Sequence, residues 1–506
     1  MNKKHLLLAV DLGTTNIKAG VYDSKGESVG TVEVVAPMNP NNYNQNGESF
    51  LKETVKAIEE SIKKNQIDSS SIEGICFSGQ MGGSIGIDVN WEPVTEWSNA
   101  LNTDYLVYTS KMLSTCREQI LELSGTNSPY FAPKILWWKN DFPELYKKTL
   151  KFMILNGYIA GKMGNININD SFISRTYLQM TGLADIVKNE WSKELCSLFG
   201  IDLNKLPRIV DSTEIIGKLS LEFANYCGLK QGTPLIAGAG DKPSGYLGAG
   251  IVKPGMLINE SASFSTFSLC ADKYIPDLNF KTFENIPSPI ENQYFPTIIL
   301  IGSGKTIKWF AENFGKNEMN SIIDLLEKSI KRDNDFEKKT LSISLLGGRV
   351  TPSCPNIRGM WFGYDWSDKK EHFYKSILES FGYEYSLAIR KLCKIYPHLK
   401  FQEVRVIGGG SASELENKIN SNITGISYIS LSRNDFTLLG NIIIAGKAIG
   451  LYDDMSKIAQ EFTQEENKRY MPDPNTYKDY IKFVNLYEKL IARTEDIYTE
   501  LESIQK

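Results

Sequence analysis

The feature that most constrains this chain is the pattern of its first eighty residues. Three short runs rich in apolar and β-branched residues (6–11, 17–23 and 28–36) are separated by Gly13-Thr14-Thr15 and by Ser24-Lys25-Gly26. Such runs, closed by turn residues, predict a three-strand meander. Leu51, Val55, Ile58 and Ile62 then recur at spacings of four, three and four, the stripe of an amphipathic helix, and residues 72–78 form another apolar run. The predicted order is βββαβ. Further along, residues 233–239 and 256–258 bracket a glycine-rich stretch. Residues 402–407 run into Gly408-Gly409-Gly410 and are followed by Leu415, Ile419 and Ile423. Strands alternating with helices in both halves predict an α/β protein of two comparable lobes, with the break near 241–250. A weak internal duplication is compatible with the glycine turn that closes an apolar strand in each half. Residues 475–506 carry Tyr480, Val484, Tyr487, Ile491 and Tyr498 at helical spacings and predict a long terminal helix without an evident function.

With 506 residues, the chain has room for about three domains of 150 residues or two larger α/β ones. Its 56 basic and 60 acidic residues give a net charge of −4, and neither sign gathers into a run of five. A basic nucleic-acid stripe and a polybasic membrane patch are therefore excluded, and a small partner is expected. The apolar run at 6–10 is too short for a secretory segment and no later run approaches a membrane span, so a cytoplasmic location is expected. Seven cysteines stand far apart without a CxxC pair, which suggests neither a disulfide framework nor a zinc site. Only His5, His372 and His398 are present, which argues against a histidine triad or a multi-histidine metal site. Any catalysis must rest on carboxylates, hydroxyls and backbone dipoles.

Three segments could supply that chemistry. In AVDLGTTNIKAGVYD (9–23), a strand delivers Asp11 into a turn made by Gly13, where backbone N–H groups and the Thr14 and Thr15 hydroxyls can face phosphate oxygens, with Lys18 just beyond. A carboxylate beside such a nest suits Mg²⁺, which is commonly held through one or two carboxylates, water and phosphates. An ordinary hairpin with Asx and Ser/Thr turn bonds would use the same residues. In AGAGDKPSGYLGAG (237–250), five glycines surround Asp241 after an apolar run, so a carboxylate is expected to project from a loop above a strand end, where it could take a proton from an attacking hydroxyl. A glycine-rich interdomain turn with Asp241 as the N-cap of a helix is the alternative. IGGGSASELENKI (407–419) would let a nucleotide lie against bare backbone. GSGKT (302–306) is not a P-loop, because Ile299 stands where that pattern needs glycine. Gln80, in SGQMGG, could serve a sugar hydroxyl or close a loop. Trp97, in TEWSN, could stack on a sugar or fill the core.

The order DLGTTNIK, SGQM, EWSN, YFAPKILWWKN, GAGDKPSGYLGAG, GGGSAS and LLGNIIIAGKAIG, spread from Asp11 to Gly450, resembles the FGGY family of carbohydrate kinases. The segment from Gly359 through Gly363 to Glu379 fits the spacing of that family's second signature, with Tyr364 where a smaller aliphatic is usual. The first signature is present around Pro133–Trp137, with Phe131 where a small residue is typical. The GAGD block looks most like the xylulose kinase branch.

The resemblance implies two ribonuclease H/actin-like lobes with ATP and sugar meeting in the cleft between them. It implies an N-terminal lobe over 1–245, a nucleotide-binding lobe over 246–460 and a helical extension over 461–506. Asp11 would serve Mg²⁺. Gly13, Thr14, Thr15, Lys18 and Ser261 would face phosphates, Gly409, Gly410 and Ser413 would border adenosine, and Asp241 would be the general base. Gln80, Met81, Trp97 and Asn99 would join Asp241 in contacting the sugar. The expected partners are a small sugar and ATP, with room for pairing into a homodimer.

Departures from the family pattern fall in the sugar pocket and the second phosphate loop. Gly82-Gly83 stands where many members continue with His-Gly, and Asn99 and Leu101 stand where many have aspartate and arginine. The second phosphate loop reads Asn259-Glu260-Ser261-Ala262-Ser263. The leading expectation is a kinase acting on a hydroxyl of a small ketose or polyol. The alternatives are a non-catalytic nucleotide or sugar binder that keeps the fold, and an actin-like ATPase.

Overall fold

Two sheets of like topology face one another in a computed structural model that describes residues 5–315, 323–324, 327–328, 340–350, 352–463 and 467–505. Residues 1–4, the start of the expected N-terminal lobe, lie outside the described residues. The first sheet is built from β1 (Leu6–Leu12), β2 (Asn16–Asp23), β3 (Ser28–Val35), β4 (Ile72–Gly79), β5 (Ile215–Lys218) and β6 (Pro234–Gly240), in the order β5-β6-β4-β1-β2-β3. β1, β2 and β3 are the expected antiparallel meander, and β4 and β6 lie parallel to β1. Between β3 and β4 runs α1 (Gly47–Lys63), which starts where the Asn46 side chain accepts from Ser49 N–H and buries Phe50, Leu51, Ala57, Ile58 and Ile62 on one face.

The second half repeats this plan. α2 (Asp241–Gly248) leads to β7 (Leu257–Glu260), β8 (Phe264–Leu269), β9 (Glu284–Pro287) and β10 (Tyr294–Ile301), then α3 (Lys370–Ile395), β11 (Glu403–Ile407), α4 (Glu414–Thr424), β12 (Ser427–Ser430), α5 (Phe436–Ala448), β13 (Lys468–Tyr470) and α6 (Pro474–Gln505). The sheet order is β9-β10-β8-β7-β11-β12-β13. β7, β8 and β10 are antiparallel, as β1, β2 and β3 are. β11 and β12 continue parallel to β7, and β13 closes the edge antiparallel, as β5 does in the first sheet. The chain therefore folds as two ribonuclease H/actin-like lobes, and the duplication is evident in strand order.

The lobes exchange helices. Leu438, Leu439, Ile442 and Ile443 of α5 share a buried cluster with Leu7, Ala9, Cys76 and Ile236 of the first sheet. Each of the four α5 side chains contributes roughly 1.5–3 kcal/mol through burial. In return α2 carries Tyr246 to the second sheet, where its hydroxyl bonds with Thr266 and Ser268 and its ring meets Phe295 edge-on at 5.0 Å. The two helices cross at glycines. A Cβ on Gly248 would stand 1.9 Å from the Phe436 carbonyl, and one on Gly440 would stand 1.9 Å from the Ser244 carbonyl. The expected boundary at 245/246 falls inside α2, and α5 packs on the lobe opposite to its place in the sequence. α6, expected as an extension, is part of the second core: the Tyr480 and Tyr487 hydroxyls donate to buried Glu379 (2.6 Å) and Glu384 (2.8 Å). Among the described residues no helix is long and apolar enough to cross a membrane.

Candidate active site

Strand register assembles the first part of the site. Asp11, next to last in β1, pairs with Lys18 across the hairpin and with Ser78 of β4 on the other side. The Ser78 hydroxyl donates to Asp11 Oδ1 at 2.8 Å and accepts from Asn441 of α5, whose Oδ1 accepts from Ser244 of α2. The second Asp11 oxygen has no hydrogen-bond partner among the described residues. Burial raises the Asp11 carboxyl above its ordinary value, against the Ser78 bond and the Lys18 charge, and Glu260 adds to the rise. A hard carboxylate with one oxygen open to the cleft fits Mg²⁺. At Gly13 a Cβ would stand 2.6 Å from the Asn16 carbonyl, so the turn accepts only glycine there. Thr14 is half-buried, Thr15 is exposed, and Lys18 reaches Glu33 at 3.7 Å. Asp11 and Lys18 share the wall of a cavity of about 340 Å³ with Asp435 and Thr437 from the other half of the chain.

Asp241 does not project from a loop; it starts a helix, one residue earlier than the alternative reading that made it the N-cap. β6 ends at Gly240 and α2 begins at Asp241, with Gly240 as the N-cap. The first helical turn leaves its N–H groups unbonded, so Pro243 costs nothing there and the helix can start directly from the strand. Tyr177 pins the junction by donating to the Ala239 carbonyl at 2.9 Å. The Asp241 carboxylate accepts from its neighbour's N–H, Lys242 N, at 2.8 Å. Burial pushes its pKa up to about 7; Lys242 opposes this, and Asp11 and Glu260 reinforce it.

A second cavity, of about 470 Å³, has Ser261, Gly304, Gly409, Gly410, Ser413 and Glu416 in its wall. Gly409 has open space where a side chain would go, and a Cβ on Gly410 would stand 2.0 Å from Ser261 Oγ. The bare backbone thus leaves open space at Gly409 while Gly410 packs tightly against Ser261. Ser413 caps α4, accepting from Glu416 N–H and donating to Glu327 at 2.7 Å. The Ser261 hydroxyl donates to Glu416 at 3.1 Å. Burial pushes the Glu416 carboxyl up to about 7, with the Ser261 bond opposing and Glu327 adding. Glu416 has no distinguishing signal in the sequence. Gly304 comes from the rejected GSGKT segment, which starts the helix Ser303–Phe314 and bonds to the Ala262 carbonyl.

The residues expected to contact sugar are placed differently. Trp97 is fully buried, and a Cβ on Gly83 would stand 2.2 Å from its ring, so it fills the core instead of presenting a face. Asn99 spends its amide on the chain, donating to the Tyr43 carbonyl (2.5 Å) and accepting from Leu101 N–H (2.8 Å). Gln80 accepts from Thr14 at 3.3 Å and donates to Gln45 at 2.8 Å, so it braces the Gly13-Thr14-Thr15 turn. Met81 is buried against Gly240. All four side chains are buried. Beside them, Ala100 and Tyr130 close the space that a side chain at Gly82 would need.

Comparison with known proteins matches the arrangement. The model of the FGGY family of carbohydrate kinases, N-terminal domain, fits residues 6–248, and that of the C-terminal domain fits residues 299–449. A xylulose kinase of Bacillus subtilis is 24% identical over 99% of both chains, and a gluconokinase of the same organism is 23% identical over 99% of this chain and 98% of its own. Among solved structures, gluconate kinase from Lactobacillus acidophilus superposes with a TM-score of 0.89 at 20% identity, covering 98% of this chain and all of that one.

Proposed function

The chain belongs to the FGGY family of carbohydrate kinases, and from that premise we propose that it transfers the terminal phosphoryl group of ATP to a hydroxyl of a small ketose or polyol, with Asp241 as general base. The observation that carries this reading is Asp241 itself: a carboxylate at the junction of β6 and α2, near enough to Asp11 and Glu260 for their charges to add to the burial that pushes it up to about 7. A base whose pKa lies near the working pH is both ionised and basic enough to take the acceptor's proton. Asp11 would hold Mg²⁺, and 13–15, Lys18 and Ser261 would orient the phosphates. Phosphoryl transfer needs positioning and charge neutralisation more than covalent help, and Mg²⁺ would supply much of that neutralisation when bound. Gly409, Gly410 and Ser413 would border the nucleoside.

The acceptor is read from what the pocket lacks. Gly82, Asn99 and Leu101 leave no imidazole, carboxylate or guanidinium at those three positions, and the Asn99 amide is already used by the backbone. A substrate hydroxyl that needed one of those groups would be left unpaired, at a cost of roughly 1–3 kcal/mol. D-xylulose is therefore expected to be a poorer substrate than another ketose, polyol or aldonate. ADP release measured over a panel of pentuloses, heptuloses, polyols and aldonates tests both claims. Sugar-dependent turnover with a non-xylulose optimum is expected. Rapid hydrolysis unaffected by any of them would favour an ATPase instead.

A further inference from the structure

An ion pair stands between the proposed base and the nucleotide cavity. Lys242, the residue after Asp241, reaches Glu260 with Nζ to Oε2 at 2.6 Å, and both side chains are about a quarter exposed. Glu260 ends β7 and directly precedes Ser261, which lines the nucleotide cavity; its Oε2 also accepts from Thr266 at 3.1 Å. The pair therefore links the residue after Asp241 to the residue before Ser261, and on the kinase reading a terminal phosphate passes between those two. Glu260 is an unfavourable residue to meet there. Its charge already acts on both Asp11 and Asp241, so three carboxylates converge on a site that has to admit a polyphosphate. Burial works against the Lys242 charge, but Glu260, Tyr246 and Asp241 outweigh it, and the ammonium stays protonated.

We infer that Lys242 is a further catalytic residue, whose ammonium leaves Glu260 to contact the transferring phosphoryl group when the triphosphate binds. The inference rests on the kinase reading above. A lysine side chain is a flexible point charge with three donors, able to rotate from a carboxylate to a phosphate beside it. Glu260 then holds the ammonium near the site in the empty cleft and keeps its Thr266 bond after release. During transfer the acceptor oxygen forms the new O–P bond as the bond to the β,γ-bridging oxygen breaks. The acceptor's proton passes to Asp241, the bridging electron pair leaves with ADP, and Lys242 neither gains nor loses a proton.

The test separates this role from a merely structural ion pair and needs no sugar. Calorimetric titration with Mg·ADP and with the magnesium complex of a β,γ-methylene ATP analogue is run on wild type, Lys242→Met, Lys242→Arg and Glu260→Gln. Lys242→Met is expected to weaken the triphosphate analogue by roughly 10- to 100-fold, the worth of a charge-assisted hydrogen bond, with ADP affinity unchanged. Lys242→Arg should recover much of the loss. Glu260→Gln should bind the triphosphate as well as wild type or better, because the competing carboxylate is gone. An unchanged triphosphate-to-ADP ratio in Lys242→Met, or an equal loss in Glu260→Gln, would overturn the inference and leave the kinase reading standing. Wild-type protein that bound neither nucleotide would overturn both.

Discussion

Each of the two crossing helices begins at an aspartate, and the two aspartates are held in opposite electrostatic states. Asp241 heads α2, where burial outweighs the charge of Lys242, whose ammonium is paired with Glu260, and its pKa rises to about 7. Asp435 precedes α5 and is gripped by Arg433 at 3.0 and 2.9 Å and by the Tyr22 hydroxyl at 2.8 Å. Burial would raise it too, but these partners outweigh burial and hold it below the ordinary carboxylate range. Fold position therefore does not decide what an acid does. Its partners decide whether it can take a proton or can only fasten a helix to the opposite lobe.

The contrast can be broken most directly by exchanging each carboxylate for its amide. Asp241→Asn is expected to lower turnover by roughly 10²–10⁴, the usual worth of a positioned base, with nucleotide binding nearly intact. Asp435→Asn should leave turnover within a few-fold. Measured ADP release that fell equally in both would erase the distinction. In stability the order reverses. Asp435→Asn should cost about 1–3 kcal/mol by removing the negative charge that pairs with Arg433 and turning one of the two acceptor oxygens into a donor, as read from denaturant midpoints at neutral pH.

Stability against pH separates the two by sign. The raised Asp241 value makes ionisation in the folded state unfavourable. The penalty is absent below the ordinary value near 3.8, grows as pH rises towards about 7, and is complete above it. Asp241→Asn should therefore be more stable than wild type at pH 8, by roughly 1–3 kcal/mol, and indistinguishable near pH 4. The depressed Asp435 value works the other way. Its contribution is present above 3.8 and is lost as pH falls through the lower folded-state value. A wild-type kcat/KM profile should show an acid limb near 7 that Asp241→Asn lacks.

Smaller effects sharpen the same contrast at the acids lining the cleft. Asp11→Ala should raise the magnesium concentration needed for half-maximal turnover, and an unchanged magnesium titration would remove Asp11 from metal binding. Glu416, pushed up to about 7, gains charge as pH rises through that value and should then repel a nucleotide anion. Mg·ATP affinity should weaken a few-fold from pH 6 to 8 in wild type and stay level in Glu416→Gln, as followed by titration calorimetry.

The sequence alone determined the elements that depend on local pattern. The βββαβ order from Leu6 to Gly79 was legible because runs of strand formers, turn glycines and the 4-3-4 stripe are short-range signals. Gly13, the Gly408 turn and the acids Asp11 and Asp241 were legible because each sits at a strand end where a turn residue marks it. The glycines around Asp241 left a loop and a helix capped by Asp241 both open, and the fold chose the helix, which starts one residue earlier straight from the strand. Tertiary structure alone decided partners and exposure. Trp97 and Asn99 belong to a motif whose residue types suit a sugar. Yet Gly83 and the Tyr43 carbonyl, brought in from other segments, make one a core residue and the other a brace. The same holds for α5, whose all-round apolar sequence states that it is buried without stating in which lobe, and for Lys242 and Glu260, eighteen residues apart on different elements. Hydrophobic period and turn chemistry act within a few residues. The field and hydrogen bonds at a carboxylate come from whatever the completed fold sets beside it, and the one-dimensional pattern carries no record of that.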